Sequence, residues 1–137
     1  LLVEDNPADV KLMQEALRES AVPGRLAVVG DGEEAAAFLR REGPYAGAPP
    51  PDLILLDLHL PRCSGLQLLD ELQRDDRLRR IPIVVLAGSV GPGERAELQK
   101  RPILRHITKP ADLDEYFAAI RAVLDDLAEI LGLRRGR

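Results

Sequence analysis

Four short apolar runs in this sequence end in polar or small residues, and three of these ends carry residues that could carry out phosphoryl transfer. Glu4 and Asp5 follow the first run, Asp57 follows the second and Lys109 follows the last. Neighbouring carboxylates at ~4 Å repel one another by about 1–4 kcal/mol per pair, and a hard cation such as Mg²⁺ removes that repulsion. A carboxylate can attack phosphorus, while a lysine ammonium offsets charge on phosphoryl oxygens. These residues predict a Mg²⁺ site with Asp57 as the nucleophile.

The four residues can meet only if the apolar runs are parallel strands of one sheet. Strand and helix patterns alternate along the chain, with strands predicted at residues 1–3, 25–29, 53–56, 81–86 and 103–107. The carboxyl ends of parallel strands share one edge, where open α/β sheets bind ligands. We therefore predict an α/β fold: a doubly wound, flavodoxin-like sandwich of five β–α units with a parallel sheet in the order 2-1-3-4-5.

Length and charge limit the class of protein. The 137 residues suit one domain, predicted over residues 1–131 with a basic tail at 132–137. A net charge of −4 argues against a nucleic-acid binder, and no apolar run approaches the roughly 20 residues of a membrane span. The single cysteine, Cys63, fits a reducing, cytoplasmic location. Because the chain starts inside a strand pattern, we expect that its natural N-terminus has been trimmed.

Taken in order, the four motifs resemble the receiver domain of bacterial two-component response regulators. They are Leu-Leu-Val-Glu-Asp-Asn at 1–6, Leu-Leu-Asp-Leu-His-Leu-Pro at 55–61, Val-Val-Leu-Ala-Gly-Ser at 84–89 and His-Ile-Thr-Lys-Pro at 106–110. The resemblance covers essentially the whole chain. The proline-rich loop around Tyr45 is most similar to that of the small stand-alone regulators that partner bacterial phytochromes.

This resemblance implies a phosphorelay function. Asp57 would accept a phosphoryl group from a sensor histidine kinase, with a bacteriophytochrome as the candidate kinase. The implied Mg²⁺ ligands are the side chains of Glu4, Asp5 and Asp57 and the backbone carbonyl of His59. Lys109 would hold the phosphoryl group, and Pro110 would follow it through a cis peptide bond. The protein would then be a phosphoacceptor that assists its own phosphorylation and dephosphorylation, and not an enzyme.

Two positions depart from the family pattern. Ala87 stands where the family has the Thr or Ser whose hydroxyl contacts the phosphoryl group, although the N–H of Gly88 could still donate. His106 replaces the aromatic residue that acts as a switch. We therefore keep open a phosphorylation-independent, receiver-like scaffold as the alternative function. The imidazoles of His59 and His106 are both expected to be exposed.

The last helix predicts a homodimer. It is predicted over residues 112–131 and would span ~30 Å, whereas a typical strand covers only ~17–20 Å. Its distal turns would then overhang the sheet and leave apolar side chains without a core, which often marks an interface. The predicted dimer residues are Tyr116, Phe117, Leu127, Ile130 and Leu131. A frayed, monomeric helix end is the alternative.

Overall fold

The computed structural model describes residues 1–61 and 64–132, in which strands and helices alternate. The strands are β1 (Leu2–Val3), β2 (Val28–Val29), β3 (Ile54–Asp57), β4 (Ile83–Ala87) and β5 (Arg105–Thr108). The α-helices are α1 (Pro7–Glu19), α2 (Gly32–Arg40), α3 (Gly65–Gln73), α4 (Pro92–Gln99) and α5 (Leu113–Ile130). Short 3₁₀ turns occupy Gly43–Tyr45 and Leu78–Arg80. Cys63 and residues 133–137 of the predicted tail lie outside the described residues.

The strands form one parallel sheet in the order β2-β1-β3-β4-β5. The predicted flavodoxin-like order 2-1-3-4-5 is therefore confirmed. Strands β3 and β4 are buried along their whole length. This burial explains their unbroken apolar sequences, because strands that are covered on both faces need no alternation. Since all the strands run the same way, the ends that carry the candidate residues share one edge of the sheet.

Helices cover both faces of the sheet and close two apolar cores. Neighbouring residues of β3 show the division, because Leu56 packs into one core and Leu55 into the other. The Leu56 core is closed by α2, α3 and α4, and the Leu55 core by α1 and α5. Helix α4 contributes least, since Leu98 is its only buried residue. Within the described ranges, no helix is long and apolar enough to cross a membrane.

Helices α1 and α5 begin with side-chain caps beside the candidate residues. The side chain of Asn6 accepts a hydrogen bond from the N–H of Ala8 at 2.9 Å, and Pro7 occupies the first helical position, where a missing N–H costs little. In the same way, Asp112 accepts from the N–H of Asp114 at 2.7 Å. These caps fix the points at which the chain leaves the sheet edge.

The strand bounds differ from the predicted ones mainly at the outer strands. Strand β2 consists of Val28 and Val29, which pair with Leu2 and Val3 of β1, where the pattern predicts residues 25–29. Strand β5 begins two residues later than predicted and ends at Thr108, with only Ile107 buried. An outer strand packs on few neighbours, so its apolar pattern is weak and its limits are hard to derive from sequence.

The premise that the distal turns of the last helix lack a core in their own subunit is wrong for Leu127. Leu127 is fully buried and Tyr116 is 2% exposed, and both pack in the core that α1 and α5 share. Helix α1 lies alongside α5 and covers these positions. Ile130 is exposed, whereas Phe117 and Leu131 are half-buried. Tyr116 and Leu127 are therefore core residues and cannot form the predicted interface.

The start of α3 generates a prediction about Gly65. A Cβ at this position would lie 2.7 Å from the backbone oxygen and 2.8 Å from the Cα of Leu58, which is closer than van der Waals contact. Gly65→Ala should therefore lower the free energy of unfolding by about 1–3 kcal/mol, because the backbone of the β3–α3 loop must move. Urea denaturation measures this change.

Gly93→Ala in α4 is the matched control. No atom lies within 4 Å of a Cβ built at Gly93, and alanine favours a helix over glycine by about 1 kcal/mol. The control should be neutral or slightly stabilising. Equal free energies of unfolding for the two variants would contradict the close approach at Gly65.

Candidate functional site

The carboxylates of Glu4, Asp5 and Asp57 meet at the carboxyl edge of the sheet. One oxygen of each residue lies within 4.8 Å of the other two. Asp57 is the last residue of β3, while Glu4 and Asp5 follow the adjacent strand β1. Glu4 and Asp57 are buried, whereas Asp5 is exposed. The cluster is therefore accessible to water from the Asp5 side.

A turn at the end of β1 allows two successive residues to share this site. On a regular strand Glu4 and Asp5 would point to opposite faces. The Glu4 side chain stabilises the turn, because its Oε2 accepts from the backbone N–H of Asp5 at 3.1 Å and of Asn6 at 3.4 Å. The backbone N–H of Glu4 still donates to the carbonyl of Val29 at 3.0 Å. The strand hydrogen bonding therefore reaches Glu4 before the chain turns.

Lys109 brings an ammonium group into the cluster. Its Nζ donates to Glu4 Oε1 at 2.8 Å, to Asp9 Oδ2 at 3.0 Å and to Asp57 Oδ2 at 3.4 Å. The backbone N–H of Lys109 donates to the carbonyl of Ala87 at 2.7 Å, which ties the chain after β5 to the end of β4. The Lys109 side chain is only 15% exposed, so these contacts are weakly screened.

Asp9 belongs to this group of contacts, although no strand-end motif points to it. It lies in the first turn of α1, where an acidic residue is ordinarily explained by its interaction with the helix dipole. The signal available in the sequence is that this turn directly follows the Glu4-Asp5 pair. A helix that starts there places its first turn at the same edge of the sheet.

Burial and like charge shift the acid–base behaviour of the cluster. Burial, followed by the nearby Asp57 carboxylate, raises the pKa of Glu4 from 4.5 to about 8, although Lys109 opposes the change. Burial alone would lower the pKa of Lys109, but hydrogen bonds to Glu4 and Asp9 outweigh it and raise the pKa above its ordinary value. Lys109 therefore stays cationic, while Glu4 is partly neutral at physiological pH.

The donor set fits a divalent cation. Carboxylate oxygens are the hard ligands that ions such as Mg²⁺ and Mn²⁺ prefer. The single charge of Lys109 cannot neutralise the carboxylates that surround it. Glu4, Asp5 and Asp57 could therefore hold such an ion.

His59 contacts the cluster through its backbone. Its N–H donates to Asp57 Oδ1 at 3.1 Å, which fixes one oxygen of that carboxylate. The imidazole is exposed, as expected, and its Nε2 lies 2.9 Å from Oε2 of Glu94 in the first turn of α4. This contact links the loop after Asp57 to α4.

The two departures from the family pattern lie on neighbouring strands. Ala87 ends β4 and is fully buried, and Gly88 follows it in an exposed position. His106 lies on β5 and is exposed, as expected, with Val85 as its partner across the ladder. A hydroxyl at position 87 is therefore replaced by a methyl group at the edge that carries the carboxylates.

The expected cis bond between Lys109 and Pro110 is not found. Every peptide bond among the described residues is trans. Lys109 is directed toward the carboxylates by its backbone hydrogen bond to Ala87 and by the contacts of its ammonium group.

The raised pKa of Glu4 predicts a pH-dependent stability in the absence of divalent cations. Because the folded-state pKa of about 8 exceeds the ordinary 4.5, the folded protein keeps a proton between these pH values that the unfolded chain has released. The contribution of Glu4 to the free energy of unfolding is therefore complete below its ordinary pKa. It is lost as the pH rises toward 8.

The measurement is the difference between the unfolding free energies of the unmodified protein and Glu4→Gln across this pH range. Groups that do not interact with Glu4 titrate in the same way in both proteins and cancel. A difference that does not vary between pH 5 and 8, or an NMR titration that places the Glu4 carboxyl at its ordinary pKa, would contradict the prediction.

Comparison with known proteins identifies the family. The family model of the response regulator receiver domain matches residues 1–121. Response regulator Rcp1 of Synechocystis sp. is 37% identical over 123 residues, which cover 90% of this chain and 84% of that protein.

Solved structures agree with this match. The structure of the phosphorylated cyanobacterial phytochrome response regulator RcpA matches with a TM-score of 0.87 at 41% sequence identity. The matched region covers 98% of this chain and 96% of the RcpA chain. The Mn²⁺-bound form of response regulator Rcp1 has a TM-score of 0.85 at 34% identity, with coverages of 99% and 94%. The bacteriophytochrome response regulator AtBRR has a TM-score of 0.73 at 31% identity, with coverages of 99% and 93%. The chain therefore belongs to the response regulator receiver domain family and is related to phytochrome response regulators such as RcpA.

Proposed function

We propose that this protein accepts a phosphoryl group on Asp57 from a sensor histidine kinase, in a Mg²⁺-dependent reaction, and signals through a changed interaction surface. One observation carries the proposal: the Asp57 carboxylate lies within 4.8 Å of the carboxylates of Glu4 and Asp5 and 3.4 Å from the ammonium of Lys109. A nucleophile, an acidic cation site and a phosphoryl-binding cation are the parts that such a transfer requires.

In the proposed reaction, a carboxylate oxygen of Asp57 attacks the phosphorus of a phosphohistidine on the kinase. The bond between phosphorus and the Asp57 oxygen forms, the phosphorus–nitrogen bond breaks, and the histidine leaves with the bonding electron pair. Mg²⁺ held by the carboxylates of Glu4, Asp5 and Asp57 would supply positive charge for the phosphoryl oxygens. Lys109 supplies a second positive charge from its position beside Asp57. The protein acts as a phosphoacceptor that assists its own modification.

The relatives support a phytochrome as the kinase partner. RcpA is a cyanobacterial phytochrome response regulator and AtBRR a bacteriophytochrome response regulator, and each covers nearly the whole of this chain. We propose a bacteriophytochrome-type histidine kinase on this basis. The predicted cytoplasmic location, and the prediction that neither nucleic acid nor a membrane is a partner, belong to the same proposal.

The buried Ala87 favours a second candidate function. Phosphorylation can shift the conformation at the end of β4 only if the phosphoryl group makes different contacts in the resting and the activated conformations. The methyl group of Ala87 offers no hydrogen bond for such a contact. His106 is likewise exposed on β5, unlike a switch residue that starts from a buried position. The alternative is therefore a receiver-like scaffold that binds its partner without phosphorylation.

Replacement of the phosphoacceptor separates these functions. Incubation with Mg²⁺ and acetyl phosphate should add the mass of one phosphoryl group to the unmodified protein, and Asp57→Asn should abolish the gain because the amide is a poor nucleophile. Intact-mass spectrometry measures the gain, and circular dichroism checks the fold of the variant. Asp52→Asn, which replaces an exposed aspartate before β3, is the matched control and should be labelled normally.

Two results would overturn the proposal. Labelling of Asp57→Asn at the normal rate would refute the assigned phosphoacceptor. No labelling of the unmodified protein by acetyl phosphate or by a phosphorylated kinase would favour the scaffold.

The homodimer remains part of the proposed function, now without the buried Tyr116 and Leu127. Ile130 is 57% exposed near the end of α5, and Leu131 and Phe117 are half-buried. A two-fold contact through this end of the helix would cover Ile130 against its own copy.

Light scattering tests the dimer. Ile130→Glu should give a monomer at concentrations where the unmodified protein is a dimer, because a carboxylate in an apolar contact loses its hydration. Leu113→Glu is the matched control, since Leu113 is 62% exposed at the other end of the same helix, and it should leave the dimer intact. A monomeric mass for the unmodified protein at high concentration would defeat this part of the proposal.

A further inference from the structure

We infer that Asp9 is a positioning residue for phosphoryl transfer, and that its carboxylate holds the ammonium of Lys109 beside Asp57. The inference rests on the proposed function of Asp57 as the phosphoacceptor. It adds a residue from a helix to a site that the sequence motifs place entirely at strand ends.

The hydrogen-bonding capacity of Lys109 is the first argument. A lysine ammonium has three donors and no acceptor, and here it faces three carboxylates, including Asp9 Oδ2 at 3.0 Å. The side chains of Lys109 and Asp9 are 15% and 20% exposed, so little water is available to replace a lost partner. Removal of the Asp9 charge would replace a charge-assisted hydrogen bond with a weaker one at best, and would allow the flexible lysine stem to move.

The second argument concerns competition for the other two carboxylates. Glu4 and Asp57 belong to the cluster whose oxygens could hold a divalent cation, and in the described part of the chain Asp9 does not. A carboxylate that is drawn to a cation is a poorer hydrogen-bond acceptor for lysine. Asp9 is thus the partner of Lys109 for which a bound cation does not compete.

The third argument is that Asp9 is itself held rigidly. Its backbone N–H donates to the Asn6 side chain at 3.4 Å, within the cap that starts α1. The helix is fixed against the sheet and α5 by the buried side chains of Met13, Ala16 and Leu17. A positioning residue on a packed helix controls geometry better than one on a loop. The packing of α1 therefore fixes one of the three carboxylates that hold the Lys109 ammonium.

The alternative explanation is that Asp9 only stabilises the N-terminus of α1 through the helix dipole. The two explanations predict opposite signs for the rate of phosphorylation. Acetyl phosphate is an anion, so removal of a negative charge near the site would by itself speed its reaction. Loss of the lysine position should slow the reaction, since misplacement of a reacting group costs up to about 100-fold in rate.

The test uses the full chain with saturating Mg²⁺ and acetyl phosphate. Asp9→Asn should lower the rate of phosphorylation by roughly 10-fold, and Asp9→Glu should restore part of it. The matched control is Glu33→Gln, which removes an exposed carboxylate from the first turn of α2 at the same edge of the sheet. The control should react at the normal rate or faster. Asp9→Ala provides a second test if the asparagine variant does not fold.

NMR of the lysine side chains provides a second measurement, which a change in the stability of α1 alone would not affect. In Mg²⁺-saturated protein, the Lys109 Nζ and ε-methylene signals should shift in Asp9→Asn and remain in place in Glu33→Gln. A normal or faster rate in Asp9→Asn, or unmoved Lys109 signals, would overturn the inference while leaving the proposed function intact. Absence of labelling in the unmodified protein would instead overturn the proposed function and this inference with it.

Discussion

Charge repulsion at one edge of the sheet is the constraint on which this structure depends. Carboxylates from β1, α1 and β3 converge there as Glu4, Asp9 and Asp57, and Lys109 lies between them at 2.8 to 3.4 Å. Two like charges about 4 Å apart repel each other by about 4 kcal/mol at the effective dielectric near a protein surface, and oxygens of Glu4, Asp5 and Asp57 lie within 4.8 Å of one another. The ammonium relieves only part of this cost, so the edge retains an excess of negative charge that attracts cations.

The packing of the two cores holds these charges together against their repulsion. Strands β3 and β4 are buried on both faces, and the helices on either side close separate cores through Leu55 and Leu56. Hydrophobic burial contributes roughly 25 cal/mol per Å², so the two cores can offset the unfavourable free energy of the cluster at the edge of the sheet. The fold thus maintains a site that is unstable by itself and ready for a ligand of opposite charge.

The parts of this arrangement that the sequence predicts are those with a strong local signal. The unbroken apolar run before Asp57 indicates a strand buried on both faces, and strand ends place Glu4, Asp5 and Lys109 at one edge. Asp9 was missed because a first-turn acidic residue already has a local explanation. Leu127 was misjudged because the length of its helix was compared with the strands and not with α1, which covers it. Contacts between helices distant in sequence leave no such local signal.

The His59–Glu94 contact has a consequence for how α4 responds to events at the sheet edge. This helix buries only Leu98 and begins at Gly91 without a side-chain cap, so little packing free energy resists its displacement. Its connection to the loop after Asp57 is made by two side chains that are 51% and 37% exposed. Water competes with both exposed side chains, so a contact of that kind contributes little free energy. A link between the loop and α4 through this contact is therefore weak and open to competition from water, unlike a link through a buried hydroxyl.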